Sequence, residues 1–330
     1  MLDEIDTSRF EGRRVGVAYG GRSPERPVSL ETGEALAEAL RAQGYDVEEY
    51  DFPDALDRVV ENPPAAVLLA FHGGAGENGT IQGFFETLGV PYTGSGVLAS
   101  ALALDKARSK ALFREAGMMT PASGRLSPDE AADIDEGGVE NWMRRNDLEP
   151  PVVVKPTDGG SSQGVAICQT LTDATSAVQA AGREGTHSPS SGVLVEDFVD
   201  GEEYTVGFFG SECLGSLQVI PGEEFYDYQA KYESNETRYE IVEKPSLSQR
   251  LEAAGRLACE TLGCRGVARV DFIAHDDRGD QVLYALEVNT IPGMTATSLV
   301  PKLAKHRGVS FEEFAELMIS AATCDSVDAG

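Results

Sequence analysis

The sequence predicts an α/β protein with a parallel sheet in its N-terminal part and an α+β arrangement towards the C-terminus. Three observations carry the prediction. Residues 14–88 alternate short apolar runs, glycine-rich loops and helix-like stretches, the order that builds a parallel sheet. Val152 to Lys155 and Gly164 to Ile167 are strand-like runs joined by a loop rich in glycine, serine and threonine. Gly266 to Ala274 returns after an acidic turn as Leu283 to Gly293, with polar residues in step in both runs.

Taken in order, Arg14 to Tyr19 reads as a buried strand and Gly20 and Gly21 as a turn. Ser29 is placed to cap a helix that runs to Gln43 and stops at Gly44. Val47 to Tyr50 and Ala66 to Ala70 are the next strands, and a helix over Thr80 to Leu88 follows the loop His72 to Gly79. Ligands of such sheets sit beyond the strands' carboxyl ends, so Arg22 to Ser29 and His72 to Gly79 should face one cleft. A second unit carries a helix over Asp105 to Ala116, a polar acidic segment to Asp147, and the glycine-rich hairpin, whose backbone N–H groups can close over phosphates. Thr186 to Gly192 reads as a linker. A helix from Ser246 to Leu262 then precedes the polar hairpin, giving three expected domains at 1–96, 97–192 and 193–330.

Side chains on a strand alternate faces, so Arg269 and Asp271 share one face of the first run, and Glu287 and Asn289 share one face of the second. Val270, Phe272, Leu286 and Val288 are expected on the other face. If the turn near His275 to Gly279 closes an antiparallel hairpin, three oxygen ligands and a guanidinium converge. That set suits Mg²⁺ holding a polyphosphate, because Mg²⁺ takes hard oxygen donors and completes its octahedron with water and phosphate. A half-buried hairpin with one solvated face fits the same alternation.

Composition excludes several classes. The chain has 330 residues, 41% of them hydrophobic, which is ample for two or three cores. The apolar run Val97 to Leu104 is far short of a membrane span, and the first residues lack the basic and apolar regions of an export signal, so a cytoplasmic protein is expected. Cys168, Cys213, Cys259, Cys264 and Cys324 form neither a disulfide framework nor a zinc spacing and are expected as buried thiols. With 55 acidic and 27 basic residues, the net charge of −28 repels nucleic acid and anionic membranes. The acids are scattered along the chain, which favours adaptation of the whole surface to high salt over one basic partner. Lysine is scarce (Lys106, Lys110, Lys155, Lys231, Lys244, Lys302 and Lys305), so each buried or loop-borne lysine is a candidate for a specific role.

The segments Gly20 to Ser29, Phe71 to Thr80, Tyr92 to Gly96, Ala103 to Lys110, Val154 to Pro156 with Gly160 to Ser162, Phe225 to Tyr232 and Glu287 to Thr295 occur together and in one order. In this the chain resembles the D-alanine:D-alanine ligases of the ATP-grasp superfamily, over nearly its whole length. The resemblance implies a three-domain ATP-grasp fold and a homodimer. It also implies joining of two D-alanines through a D-alanyl phosphate, with release of ADP and phosphate, for peptidoglycan precursor synthesis.

The same resemblance implies a role for each matched residue. Asp271, Glu287 and Asn289 would hold two Mg²⁺ (or Mn²⁺), and Arg269 with the backbone of Gly293 would neutralise the transferred phosphoryl group and the tetrahedral intermediate. Lys106, Lys155 and Lys231 would contact the ATP phosphates; Glu196 and Glu203 would bind the adenine amino group and the ribose hydroxyls, and main-chain groups near Phe198 and Val199 would read the adenine edge. Glu25 would take the first ammonium and, with Ser161 and Tyr232, form a trio that closes the site, while Ser298 and Leu299 would receive the second carboxylate. His72 would have a secondary substrate contact, or act only as a hydrogen-bonder at a strand end. Pro27 and Asn78 depart from the acidic residues usual in the family, near the first-substrate side. Tyr232 argues against an ester-forming D-alanine:D-lactate ligase, whose relatives commonly replace it. The full metal and phosphate set argues against a non-catalytic ATP-binding regulator.

Overall fold

A computed structural model describes residues 2, 5–160, 163–184, 192–221 and 237–325. Its first sheet is formed by β1 (Arg14–Gly20), β2 (Asp46–Phe52) and β3 (Val67–Leu69), parallel and in the order β2-β1-β3. Val15 and Val17 of β1 pack with Leu36 and Leu40 of α1 (Arg26–Ala42), whereas Ala18 packs on the opposite side with Phe85 of α3 (Thr80–Leu88). Burial on both faces is what a parallel sheet requires. The short α2 (Leu56–Glu61) lies between β2 and β3 in the chain.

Helix α1 begins three residues before the expected cap. Pro27 is tolerated in its first turn because that turn's N–H groups have no partner within the helix. Ser29 is inside the helix, where it serves the tertiary structure. Its hydroxyl accepts from Gly20 N at 2.8 Å and donates to Ala70 O at 2.7 Å, tying the ends of β1 and β3 together.

The second sheet is antiparallel, in the order β4 (Ser123–Leu126), β7 (Val193–Asp197), β5 (Val152–Pro156), β6 (Ala166–Cys168). α6 (Pro128–Asp133), α7 (Glu136–Arg145) and α8 (Leu171–Glu184) share its core through Ala131, Val139 and Val178. β7 is hydrogen-bonded on both sides here, so this sheet takes a strand from beyond the expected 192/193 division.

The third sheet runs β10 (Arg238–Ile241), β9 (Glu212–Ile220), β8 (Glu202–Phe209), β11 (Val267–Asp277), β12 (Asp280–Asn289). α9 (Pro245–Leu262) covers one face together with α4 (Val97–Leu104) and α5 (Lys106–Glu115). α10 (Leu299–His306) lies against the other. Phe314 and Ile319 of α11 (Phe311–Ser320) join the core of α1, and Thr323 exchanges backbone hydrogen bonds of 3.0 and 3.1 Å with Tyr92 beside the first sheet.

The β11–β12 hairpin turns at Arg278 (φ 57°) and Gly279 (φ 96°), the two positive values of the tight turn that matches strand twist. Asp271 pairs with Glu287 but Phe272 with Ala285, so Leu286 is an inserted bulge residue. Ala285 takes the core position beside Val270 and Phe272, and Leu286 turns to the same side as Glu287. The expectation of Leu286 on the core face is therefore corrected: strict alternation ends at the bulge. All five cysteines are free thiols, with Cys168, Cys259 and Cys324 buried and Cys213 and Cys264 partly so.

Candidate active site

Two clefts meet at the polar hairpin. The first, about 370 Å³, is lined by Glu25, His72, Glu77, Arg269, Asn289, Gly293, Ser298 and Leu299 among others. The second, about 200 Å³, is lined by Val153, Lys155, Ile167, Glu196, Phe198, Val199, Ile273 and Leu286. Lys106, Gly159, Gly160, Glu203, Asp271 and Glu287 border both. The first cleft is the more polar and the second the more apolar, and the shared charged residues form a neck between them.

The hairpin builds that neck directly. Arg269 lies opposite Asn289 and Asp271 opposite Glu287, so all four polar side chains are cross-strand neighbours. Arg269 holds Asp271 through Nε at 2.9 Å and Nη2 at 2.7 Å, and Thr205 of β8 donates to the same carboxylate at 2.6 Å. Lys106, the first residue of α5, reaches Glu287 at 2.9 Å and Gly159 O at 2.5 Å. Burial opposes ionisation of Glu287, but Lys106 and Lys155 outweigh it and hold the carboxyl at about 2. Asn289 Oδ1 accepts from Ile291 N at 2.9 Å.

The donors are two carboxylates and an amide oxygen, each carboxylate already paired with a cationic side chain. That set fits Mg²⁺ or Mn²⁺ in chemistry and in charge.

On the first-cleft side, Glu25 ends the loop into α1 and is 9% exposed. Gly73 has φ 69°, and a Cβ there would stand 2.3 Å from Glu25 Oε2, so only glycine serves. Ser23 donates to His72 O at 2.6 Å, joining the two loops that were expected to share a cleft. His72 is buried with Nε2 3.0 Å from Thr32 Oγ1. Glu77, which sequence reading missed, accepts from Gly73 N at 2.8 Å; burial and then the charge of Glu25 push its carboxyl up to about 7. Ser298 precedes α10, whose N-terminus lines the cleft, and its Oγ accepts from Thr295 N at 3.1 Å.

On the second side, Glu196 is 2% exposed and pairs with Lys155 and, at 2.9 Å, with Lys110. Burial works against its charge, yet the two lysines hold it below the usual carboxylate range. Lys110 was also missed; its signal is position i+4 from Lys106 in a chain poor in lysine. Ser161, Lys231 and Tyr232, expected in the site, lie outside the described residues, as do Tyr226 and Tyr228. The structure brings the remaining predicted site residues to these two clefts.

Comparison with known proteins agrees with this geometry. The sequence model described as "D-ala D-ala ligase C-terminus" matches residues 112–320. A D-alanine–D-alanine ligase of an Anaeromyxobacter species is 42% identical over 317 residues, covering 95% of this chain and 98% of that protein. One from Sinorhizobium fredii is 41% identical over 329 residues, covering 96% and 99%. The crystal structure of the Bacillus anthracis D-alanine–D-alanine ligase complexed with ATP superposes with a TM-score of 0.77 at 33% identity, covering 93% of this chain and 95% of that one. The fold, with its parallel first sheet and two antiparallel sheets, is the ATP-grasp arrangement of those ligases. By matched residues, identity and coverage, the chain belongs to the D-alanine–D-alanine ligase family.

Proposed function

We propose that the chain is an ATP-dependent ligase that joins two D-alanines into D-alanyl-D-alanine, for cell-wall precursor synthesis in the cytoplasm, acting as a homodimer. The observation that carries the reading is the four-residue polar face of the β11–β12 hairpin at the junction of the two clefts. ATP lies with its base in the second cleft between Ile167, Ile273 and Leu286, and its triphosphate crosses the neck. Glu203 serves the ribose, and Lys106, Lys155 and Lys231 the phosphates. Asp271, Glu287 and Asn289 would hold two Mg²⁺ ions, which would supply charge neutralisation and orientation to the phosphates.

Glu25 takes the ammonium of the first D-alanine and leaves its carboxylate facing the neck. That carboxylate attacks the γ-phosphorus, ADP departs, and the neutral amine of the second D-alanine attacks the acyl carbon and expels phosphate. Arg269 and the Gly293 N–H stabilise the negative charge that builds in both steps, which is the main demand of such transfers. Ser298 and the Leu299 N–H, at the positive end of α10, receive the second carboxylate. Ser161 and Tyr232 complete the Glu25 trio. The acidic surface adapts the enzyme to high salt.

The test is an amino-acid screen for phosphate release with ATP and Mg²⁺. D-alanine, and not L-alanine, should drive ADP formation and yield an amide. ATP turnover without dependence on a D-amino acid would overturn the reading.

A further inference from the structure

Helix α5 turns Lys106 and Lys110 to one side, four residues apart, and the two ammonium groups have different surroundings. Lys106 borders both clefts. Lys110 is fully enclosed and borders neither. Its Nζ lies 2.9 Å from Glu196 Oε2 on β7 and 3.0 Å from Thr120 Oγ1, and Thr120 in turn donates to Ala285 O on β12 at 2.7 Å. One ammonium thus spans the two sheets on either side of the second cleft, and it meets the third sheet beside the bulge that turns Leu286 into that cleft.

Glu196 has two cations for one charge. Lys155 holds Oε1 from the cleft wall, where it can exchange the carboxylate for an arriving phosphate. Lys110 has no route to a phosphate. Its Nζ, 2.9 Å from Oε2, keeps an ammonium against the interior oxygen of this 2%-exposed carboxylate whatever Lys155 does on the cleft side. When Lys155 turns to a phosphate, Oε1 on the cleft side becomes an acceptor that favours a ligand bringing an N–H and disfavours one bringing another lone pair.

We infer that Lys110 is a positioning residue for base selection: it keeps Glu196 fixed and charged when Lys155 turns to the nucleotide, and so makes the second cleft choose a 6-amino purine over a 6-oxo purine. The inference rests on the nucleotide reading of that cleft. A 6-amino group donates to Oε1, which Lys155 leaves when it turns to phosphate, whereas a 6-oxo group opposes it lone pair to lone pair. Without Lys110, the buried Glu196 is left with Lys155 alone as its partner and must give it up or withhold it from phosphate.

The experiment compares Mg-ATP with Mg-ITP in binding titrations and as substrates, for the wild type, Lys110→Met and Thr120→Val, with thermal melts to establish folding. Wild type should prefer ATP. Lys110→Met should lower the ATP-to-ITP preference about ten- to hundred-fold, the size expected for losing a hydrogen bond to a charged partner, with KM for D-alanine within about twofold. Thr120→Val keeps the side chain's shape and removes the ammonium's anchor together with the bond to Ala285 O; it should shift the preference a few-fold in the same direction, and it decides the matter if Lys110→Met does not fold. In Glu196→Gln, adding Lys110→Met should change the preference little, because the lysine acts through the carboxylate. A wild type that binds neither nucleotide overturns the nucleotide reading, and this inference with it. A wild-type preference for ATP that survives in the folded variants overturns the role of Lys110 alone.

Discussion

Glu25 and Glu77 place two carboxyls at one end of the first cleft, and their proximity gives them different roles. Both are 9% exposed, and the carboxyl of Glu77 is raised to about 7 by burial first and by Glu25 second. An unfolded glutamate releases its proton near 4.5, so between about pH 5 and 7 the folded state binds more protons than the unfolded one, and stability falls as pH rises through that window. Glu77→Gln removes the titration while keeping a similar shape. Thermal melts of the free protein should show the wild type losing up to about 3 kcal/mol relative to this variant from about pH 5 to pH 8, and parallel curves would refute it. Glu77 was not singled out in the sequence because an acid inside a glycine loop carries no periodicity. Asp271 and Glu287 were legible because a strand displays its polar face in every second residue.

At the scale of elements, the β11–β12 hairpin was readable from alternation and from the acidic turn, and α3 was placed to the residue by its bounding glycines. The bulge was not, since an inserted residue changes the phase of a strand without changing its composition. It gives the second cleft an apolar wall on the side of the hairpin that carries Glu287. Leu286→Ala should therefore raise KM for ATP several-fold, the cost of about 1–2 kcal/mol of lost apolar contact, and leave KM for D-alanine unchanged; steady-state kinetics with each substrate varied decides. The start of α1 was misread for a related reason. Ser29 has the chemistry of a cap, but its hydroxyl is committed to Gly20 and Ala70, contacts that only the assembled sheet creates.

For the whole molecule, a net charge of −28 sets the response to salt. Raising KCl from about 0.1 M to above about 1 M shortens the screening length from about 10 Å to about 3 Å, which quenches repulsion among exposed carboxylates while the close contacts of Glu196 and Asp271 persist. Melting temperature and initial rate should both rise along a KCl series; a protein most stable and most active below about 0.2 M would show that the acidic surface serves another purpose. Part of each sheet was foreseeable, but not β4 and β7 to β10, nor the return of the chain's last helix to its first. Phe314 and Ile319 complete the core against α1, and Thr323 pairs with Tyr92. During synthesis, then, the first sheet emerges from the ribosome long before its closing partner, and the loops bearing Glu25 and His72 acquire their final support only once residues 311–324 are free to dock. The module made earliest is thus completed by the residues made last.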